Sequence, residues 1–184
     1  MSQWGFYIDM TACTGCKTCQ IACKDKNNLE AGVLFRRVKY FEGGKFPETW
    51  TYNISISCNH CENPKCVKNC PTGAMHKVEN GIVLPDKDKC IGCRMCTLSC
   101  PYSQPQYFKE EGKVSKCNFC IDLINQNEDP ACVAACPMRA IHYGPLDDLR
   151  KKYGEGSSKV RGLPDSSITQ PSLIINAKKE AIIN

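Results

Sequence analysis

The sequence predicts an α+β fold made of two small modules, one inserted into the other, with a β-hairpin insertion and an extended C-terminal tail. Three observations predict it. Sixteen cysteines fall into four groups of four along the 184 residues. The groups within 58–82 and 90–107 are neighbours, whereas those within 4–24 and 117–143 answer each other across the intervening chain, which is the pattern of one repeat nested in another. Short β-branched and aromatic runs, bounded by turn residues, lie between and after the groups. The resulting boundaries are 1–34 with 108–154 for the outer module, 35–57 for the hairpin, 58–107 for the inner module and 155–184 for the tail.

The groups themselves are Cys13-Thr-Gly-Cys16-Lys-Thr-Cys19-x3-Cys23, Cys58-Asn-His-Cys61-x4-Cys66-x3-Cys70-Pro71, Cys90-Ile-Gly-Cys93-Arg-Met-Cys96-x3-Cys100-Pro101 and Cys117-Asn-Phe-Cys120-x11-Cys132-x3-Cys136-Pro137. Each opens with Cys-x2-Cys and closes with Cys-x3-Cys, and the third is the bacterial ferredoxin run C-x2-C-x2-C-x3-C-P. The modules therefore read as interleaved bacterial-type 2[4Fe-4S] ferredoxin modules, and sixteen thiolates are the full ligand set of four [4Fe-4S] clusters. Three thiolates within seven residues can close around one face of a cube, while the fourth points away, and in two-cluster ferredoxins that fourth ligand belongs to the other cluster. Four residues of helix rise only about 6 Å, so ligands of two clusters are tied closely together. Tunnelling rates fall exponentially with distance, and the repeated quartet implies a row of electron carriers. Eight disulfides would also use an even count, but Cys-x2-Cys pairs are a poor staple framework for a chain long enough to build a core. Four zinc knuckles would need two well-separated Cys-x2-Cys pairs per site, which the Cys-x3-Cys-Pro endings do not supply.

Taken in order, the elements follow local rules. Phe35-Arg-Arg-Val-Lys-Tyr-Phe-Glu and Trp50-Thr-Tyr-Asn-Ile-Ser-Ile-Ser alternate with period two around Gly43-Gly44, which predicts a hairpin that braces the modules or meets a partner. Met75 to Pro85 reads as strand, Asn80-Gly81 turn, strand, because Asn-Gly is the strongest short hairpin signal. Ala140-Ile-His-Tyr-Gly is a matching short strand. Pro145 to Gly154 carries acids first, bases last and a terminal glycine, the polarity and stop of a short helix. From Glu155 onward the composition turns to Gly, Ser, Pro, Lys and scattered Ile, which leaves a tail lying on another surface and simple disorder as equal readings.

The chain is 42% hydrophobic, with no apolar run near the roughly 18 residues that span a bilayer, and its start runs directly into the first motif. It reads as free of transmembrane helices and of a signal peptide, with assembly in a reducing cytoplasm. The formal charge is +5. Four clusters, each a 2+ core with four thiolates, add about −8 and leave the loaded protein near about −3, so the basic excess is mostly internal compensation rather than a nucleic-acid surface. Lys17, Lys24, Arg94, Lys116 and Arg139 lie in or beside the cysteine groups, where positive charge raises a cluster's potential; plain solvated side chains are the competing reading. Of the three histidines, His60 stands between Cys58 and Cys61 and is a candidate to tune its cluster through a hydrogen bond or its protonation, not a ligand. His76 and His142 read as strand residues. No nucleophile elbow, phosphate-cradling loop, HExxH or dinucleotide fingerprint is present, so no catalytic residue is assigned.

Cys13-Thr-Gly-Cys-Lys-Thr-Cys-Gln-Ile-Ala-Cys-Lys-Asp, Ile56-Ser-Cys-Asn-His-Cys-Glu-Asn-Pro, Cys70-Pro-Thr-Gly-Ala-Met-His-Lys, Cys90-Ile-Gly-Cys-Arg, Cys100-Pro-Tyr and the stretch from Arg139 to Gly154 resemble the four-cluster electron-transfer subunit of the dimethyl sulfoxide reductase family of molybdopterin oxidoreductases. The similarity covers Trp4 to about Gly154 and is weakest in the tail. It implies a subunit without catalysis of its own, held between a molybdopterin (Mo or W) catalytic subunit and a quinone-reactive integral membrane anchor. Carried over by position, it implies clusters held by Cys13, Cys16, Cys19 and Cys136; by Cys23, Cys117, Cys120 and Cys132; by Cys58, Cys61, Cys66 and Cys100; and by Cys70, Cys90, Cys93 and Cys96. The first would lie nearest the catalytic subunit and the last nearest the membrane. Some relatives replace a cysteine of the third motif and carry a [3Fe-4S] cluster; Cys93 and its neighbours are all present here, so four cubanes are expected.

The implied function is one-electron relay from a quinol to an S-oxide or N-oxide reductase. The equivalent subunit of a formate dehydrogenase, thiosulfate or polysulfide reductase or hydrogenase, and a free-standing polyferredoxin, are the alternatives. The implied location is peripheral to the cytoplasmic membrane within a complex, with folded export beside a twin-arginine-bearing partner left open.

Overall fold

A computed structural model of the chain describes residues 2–157 and 159–183. The organising strand is β1 (Trp4–Asp9), whose Phe6, Tyr7 and Ile8 are all buried. Consecutive buried residues mean that both faces of the strand are covered, and the neighbours supply the cover. β8 (Ile141–Pro145) pairs antiparallel with β1 on one edge, from Trp4 opposite Pro145 to Ile8 opposite Ile141. On the other edge β9 (Leu173–Asn176) pairs parallel, giving the order β8-β1-β9. The sheet thus ties the start of the chain to two segments more than a hundred residues away.

The period-two pattern around Gly43-Gly44 forms β2 (Arg37–Lys45) and β3 (Glu48–Ile56), an antiparallel pair from Arg37 opposite Ile56 to Lys45 opposite Glu48. Tyr52 and Ile54 on β3 are fully buried, and Tyr52 stacks between Phe41 and Trp50 with centroids 5.0 and 5.6 Å away. The Asn80-Gly81 signal produces β4 (Met75–Lys77) and β5 (Val83–Pro85), with Gly81 at φ 80°. A further small hairpin, β6 (Gln106–Phe108) with β7 (Lys113–Ser115), was not expected from the sequence.

The helices are short. α1 (Thr18–Lys26), α2 (Lys65–Lys68), α3 (Met95–Ser99), α4 (Ile121–Ile124) and α5 (Ala131–Ala134) all lie among the cysteine groups, and α1 packs on α5 as α2 packs on α3. α6 (Leu146–Tyr153) is the helix expected before Gly154, which sits at φ 82° and ends it; Leu146 and Leu149 are its buried contacts with the sheet.

The segment after Gly154 departs from both readings of its composition. Its described residues include 3-10 turns at Ser166–Ile168 and Lys179–Ala181 and the strand β9, and Val160, Ile174, Ile175 and Ala181 are buried. Val160, Ile175 and Ala181 share a core with Met10, Tyr52, Ile54 and Ile56, so the segment joins the hairpin to the central sheet. The physical reason is economy of apolar residues: few are needed when a sheet edge and the aromatic face of β3 are ready to receive them. The main core combines Phe6, Ile8, Phe35, Ile82, Phe119 and Ile141 with six buried cysteines, so the thiols are part of the hydrophobic interior.

Candidate metal centres

The four Cys-x2-Cys loops share one backbone device. The residue before the second cysteine has positive φ in each: Gly15 at 76°, His60 at 43°, Gly92 at 69° and Phe119 at 65°. A left-handed residue there curls the loop so that flanking N–H groups and sulfurs can face a common centre. Glycine makes this free of strain in the first and third motifs, where a Cβ on Gly15 would strike Asn53 and one on Gly92 would strike the Gly112 carbonyl oxygen. His60 and Phe119 hold the same conformation with large side chains, which costs about 1 kcal/mol or more each and requires surrounding packing to hold it. Their rings supply that packing, edge to face with centroids 5.1 Å apart.

The sulfurs gather by quartet. Cys13, Cys16, Cys19 and Cys136 line one cavity. A second is lined by Cys58, Cys61, Cys66 and Cys100. Cys70, Cys90, Cys93 and Cys96 line a third. The remaining four, Cys23, Cys117, Cys120 and Cys132, are all buried and close enough that Cys132 and Cys120 raise the pKa of Cys23, and Cys23 and Cys132 that of Cys117, after burial itself. Among the described residues no three His, Cys, Asp or Glu converge on a single-ion site. One zinc ion would draw its four sulfurs to about 2.3 Å from a single point; sulfurs set around a cavity suit a cube of iron and sulfide.

The chemistry of the donors fits the same group. Burial pushes the thiols of Cys23, Cys61 and Cys66 up to about 12 and that of Cys96 to about 11, so each is neutral when alone. Coordination to iron deprotonates such thiols outright. Donors to sulfur are already arranged: the Met75 N–H reaches Cys70 Sγ at 3.4 Å, the Val114 N–H reaches Cys90 Sγ at 3.4 Å and the Ala140 N–H reaches Cys136 Sγ at 3.3 Å. From the hairpin, Ser55 Oγ lies 3.3 Å from Cys19 Sγ.

The quartets lie in sequence. After burial itself, Cys132 raises the pKa of Cys19 and Cys58 raises that of Cys117, which sets the quartet of Cys23 between those of Cys13 and Cys58. Cys66 on α2 and Cys70 just after it then link the quartet of Cys58 to that of Cys90. The two exposed cysteines of the chain, Cys16 and Cys93, belong to the two end quartets.

Two buried cations stand between quartets. Arg36 is 1% exposed, donates to Ser55 Oγ at 3.1 Å and Ser57 Oγ at 2.9 Å, and lies over the Phe6 ring at 4.9 Å. Burial pulls its pKa down, but Cys132, Cys19, Cys117 and Cys23 outweigh it and raise the pKa. Nothing in the sequence marked Arg36; it precedes β2 in an exposed-looking Arg-Arg pair. Lys116 is equally buried, lines the cavity of Cys58 and donates to the carbonyls of Val83 and, at 3.0 Å, Cys117. Of the five cations singled out in sequence it is the buried one. Lys17 is exposed beside Cys16, Lys24 and Arg139 bond backbone carbonyls of Leu29 and Ala134, and the Arg94 guanidinium stacks on Tyr107 at 3.7 Å. His60 is fully buried at the cavity of Cys58, its pKa held well below the usual histidine range by burial. His76 lies in β4, and His142 lies in β8 stacked on Tyr153 at 4.9 Å.

Comparison with known proteins agrees with this chemistry. Residues 49–146 match the family described as 4Fe-4S dicluster domain, and residues 10–28 match a 4Fe-4S binding domain. The chain is 47% identical over 182 residues to one polypeptide of the anaerobic dimethyl sulfoxide reductase of Escherichia coli strain K12, covering 95% of this chain and 88% of that one. It is 40% identical to one polypeptide of the sulfite dehydrogenase of Allochromatium vinosum, with 80% and 71% covered. To the thiosulfate reductase electron transfer subunit of Salmonella typhi it is 38% identical, with 86% and 84% covered.

Proposed function

The chain belongs to the family of iron–sulfur electron-transfer subunits that serves anaerobic dimethyl sulfoxide reductase, and from that premise we propose that it relays single electrons through four [4Fe-4S] clusters. It is an electron-transfer subunit rather than a catalyst in its own right. The ligand sets proposed are the four quartets above, read as one two-cluster ferredoxin module inserted into another. The observation that carries the reading is the order of the row: two inner quartets with no exposed cysteine, and at each end a quartet with one exposed cysteine, Cys16 or Cys93. Such an order shields the electron from solvent in transit and opens it to partners only where it enters and leaves.

When bound, the clusters supply reversible one-electron storage without proton transfer. The chain's own residues do the rest. The curled Cys-x2-Cys loops orient the sulfurs, the aromatic core around Phe6 and Phe119 excludes water, and Arg36 and Lys116 hold positive charge between successive quartets, where it favours the reduced state.

The proposed partners are a molybdopterin catalytic subunit, most simply one reducing an S-oxide or N-oxide, seated over Cys16, and an integral membrane anchor reacting with quinol, seated near Cys93. In support of the second contact, Ile91, Met95 and Leu98 beside Cys93 are exposed, Leu98 at 81%. No helix among the described residues is long and apolar enough to cross a membrane, so the quinol step is assigned to another polypeptide. The complex is proposed to be peripheral to the cytoplasmic membrane.

The test begins with protein purified without oxygen, which should contain about sixteen irons and about sixteen acid-labile sulfides per chain. It should take electrons from dithionite and pass them to dyes, yet reduce no S-oxide or N-oxide until the molybdopterin subunit is added. Zinc in place of iron would overturn the cluster assignment. S-oxide reduction by the isolated chain would overturn the division of labour.

A further inference from the structure

Buried polar atoms normally find a partner, and one left without costs about 1–3 kcal/mol. Among the described residues, six buried side-chain polar atoms lack a hydrogen-bond partner within the protein. Two are Arg36 Nε and Tyr52 Oη. The other four, Asn59 Nδ2, His60 Nε2, Tyr102 Oη and Thr169 Oγ1, all belong to residues that line the single cavity ringed by Cys58, Cys61, Cys66 and Cys100. Asn59, His60 and Thr169 are 3%, 0% and 1% exposed, so water from outside does not reach them.

Each of the four can donate. The Val83 N–H donates to His60 Nδ1 at 3.1 Å, which fixes the tautomer: the ring proton is on Nε2, the atom without a partner. Asn59 Nδ2 carries two protons and no protein acceptor. The Thr169 hydroxyl lies close enough to Cys61 and Tyr102 to draw the pKa of each down against burial, yet its angles complete a hydrogen bond with neither, so both hydroxyls are still free to turn toward another acceptor. At the other cavities donors meet a sulfur of the protein directly: the Thr18 hydroxyl donates to Cys16 Sγ at 3.4 Å, Ser55 Oγ lies 3.3 Å from Cys19 Sγ, and the Met75 and Val114 N–H groups donate to Cys70 and Cys90.

Thr169 comes from far along the chain, and its placement is built. The Asn63 N–H donates to the Thr169 carbonyl at 3.0 Å, the Glu62 N–H to that of Gln170 at 2.8 Å and the Ser172 N–H to that of Asn59 at 3.0 Å, while Ser172 Oγ donates to the His60 carbonyl at 2.8 Å. Four bonds therefore lace residues 169–172 onto the loop that carries Cys58 and Cys61, as a strap closing this cavity.

We propose that Asn59, His60, Tyr102 and the strap residue Thr169 form a cage of donors to the sulfurs of the cluster held by Cys58, Cys61, Cys66 and Cys100, and that the cage sets its potential by raising it. The inference rests on the four-cluster reading above. A cubane with four thiolates offers anionic sulfur on every face, which is the acceptor these atoms lack. Reduction adds one electron from the neighbouring carrier, moves no proton and breaks no bond, and it makes the sulfurs more negative. Donors around them therefore favour the reduced form. These are positioning residues; none is a ligand. The C-terminal segment becomes a working part of the relay rather than a handle for partners.

The experiment uses the full chain, loaded and kept free of oxygen. Cys100→Ala first identifies which electron paramagnetic resonance signal belongs to this quartet. Thr169→Val and Tyr102→Phe then each remove one hydroxyl at almost unchanged volume. Expected is a full iron content and, at a fixed solution potential, a reduced-to-oxidised ratio for that one cluster lowered about threefold to tenfold by each, the upper figure corresponding to 59 mV for one electron. The other three signals should keep their potentials. The proposal is overturned if both variants leave this cluster's ratio unchanged, if the shift spreads evenly over all four, or if both simply lose its iron, which would make the hydroxyls supports of the fold. Absence of the four signals in the unsubstituted protein would instead defeat the cluster reading itself.

Discussion

Cys23→Ala distinguishes crossed from local ligation more sharply than any other single change. Cys23 follows Cys13, Cys16 and Cys19 in the same motif, yet it is absent from the cavity those three line with Cys136. It lies on α1, which packs on α5, the helix that carries Cys132. At 5% exposure, its sulfur has no water waiting to replace it. Removal should therefore empty the quartet of Cys117, Cys120 and Cys132, and the iron content should fall from about sixteen to about twelve per chain. The assay is anaerobic iron and sulfide analysis with electron paramagnetic resonance of the dithionite-reduced protein, run beside Cys120→Ala and Cys16→Ala. Cys23→Ala should lose the same signal as Cys120→Ala and a different one from Cys16→Ala. Combining Cys23→Ala with Cys120→Ala should cost no more iron than either alone, because both act on one site, whereas combining it with Cys16→Ala should leave about eight irons. A Cys23→Ala spectrum that matches Cys16→Ala would refute the crossed arrangement and with it the order of the row.

Two further substitutions probe the scaffold. Phe119→Ala removes a fully buried ring that stacks on Phe6 at 4.3 Å and meets Trp4, His60 and Tyr143 edge-on or tilted, so it should destabilise the core by about 3–5 kcal/mol. Amide exchange along Trp4–Asp9 should then speed up by at least about a hundredfold, and a change of less than about threefold would show that β1 does not depend on that ring. Gly92→Ala forces a side chain onto a left-handed residue and into the Gly112 carbonyl. It should deplete the quartet of Cys70, Cys90, Cys93 and Cys96 and leave about twelve irons, with full loading as the contrary result.

Local signals were legible in the sequence and distant ones were not. The Cys-x2-Cys and Cys-x3-Cys spacings announced the cysteine motifs, Asn80-Gly81 announced β4 and β5, and the charge order from Leu146 to Tyr153 announced α6, because each rule acts within about ten residues; which motifs share a quartet came only from the family resemblance. β1 escaped notice because a strand covered on both faces shows no alternation: Phe6, Tyr7 and Ile8 are buried in succession. β9 escaped because Leu173–Asn176 is a short apolar run in a polar segment, and its partner edge lies at the other end of the chain. The same distance hid Thr169, which meets a cavity whose cysteines precede it by about seventy to about 110 residues, and Arg36, whose serines lie on and just past the far strand of the hairpin. His60 could be nominated from its place between two cysteines, but the proton position on its ring depends on Val83.

The buried guanidinium of Arg36 has a consequence for how such a protein comes into being. Its partners are two serine hydroxyls, the Ser55 carbonyl and an aromatic face, and no ion pair among the described residues includes it. A positive charge in that position is tolerable while anionic sulfur surrounds it, but stripping the metal lets the buried thiols regain their protons and leaves the charge without a counterpart, at a cost of several kcal/mol. The native interior is thus not a vessel that stands ready and is later filled. Insertion of the inorganic cores and closure of the polypeptide become one thermodynamic event, and the biogenesis machinery must deliver its cargo to a chain still open enough to wrap around it.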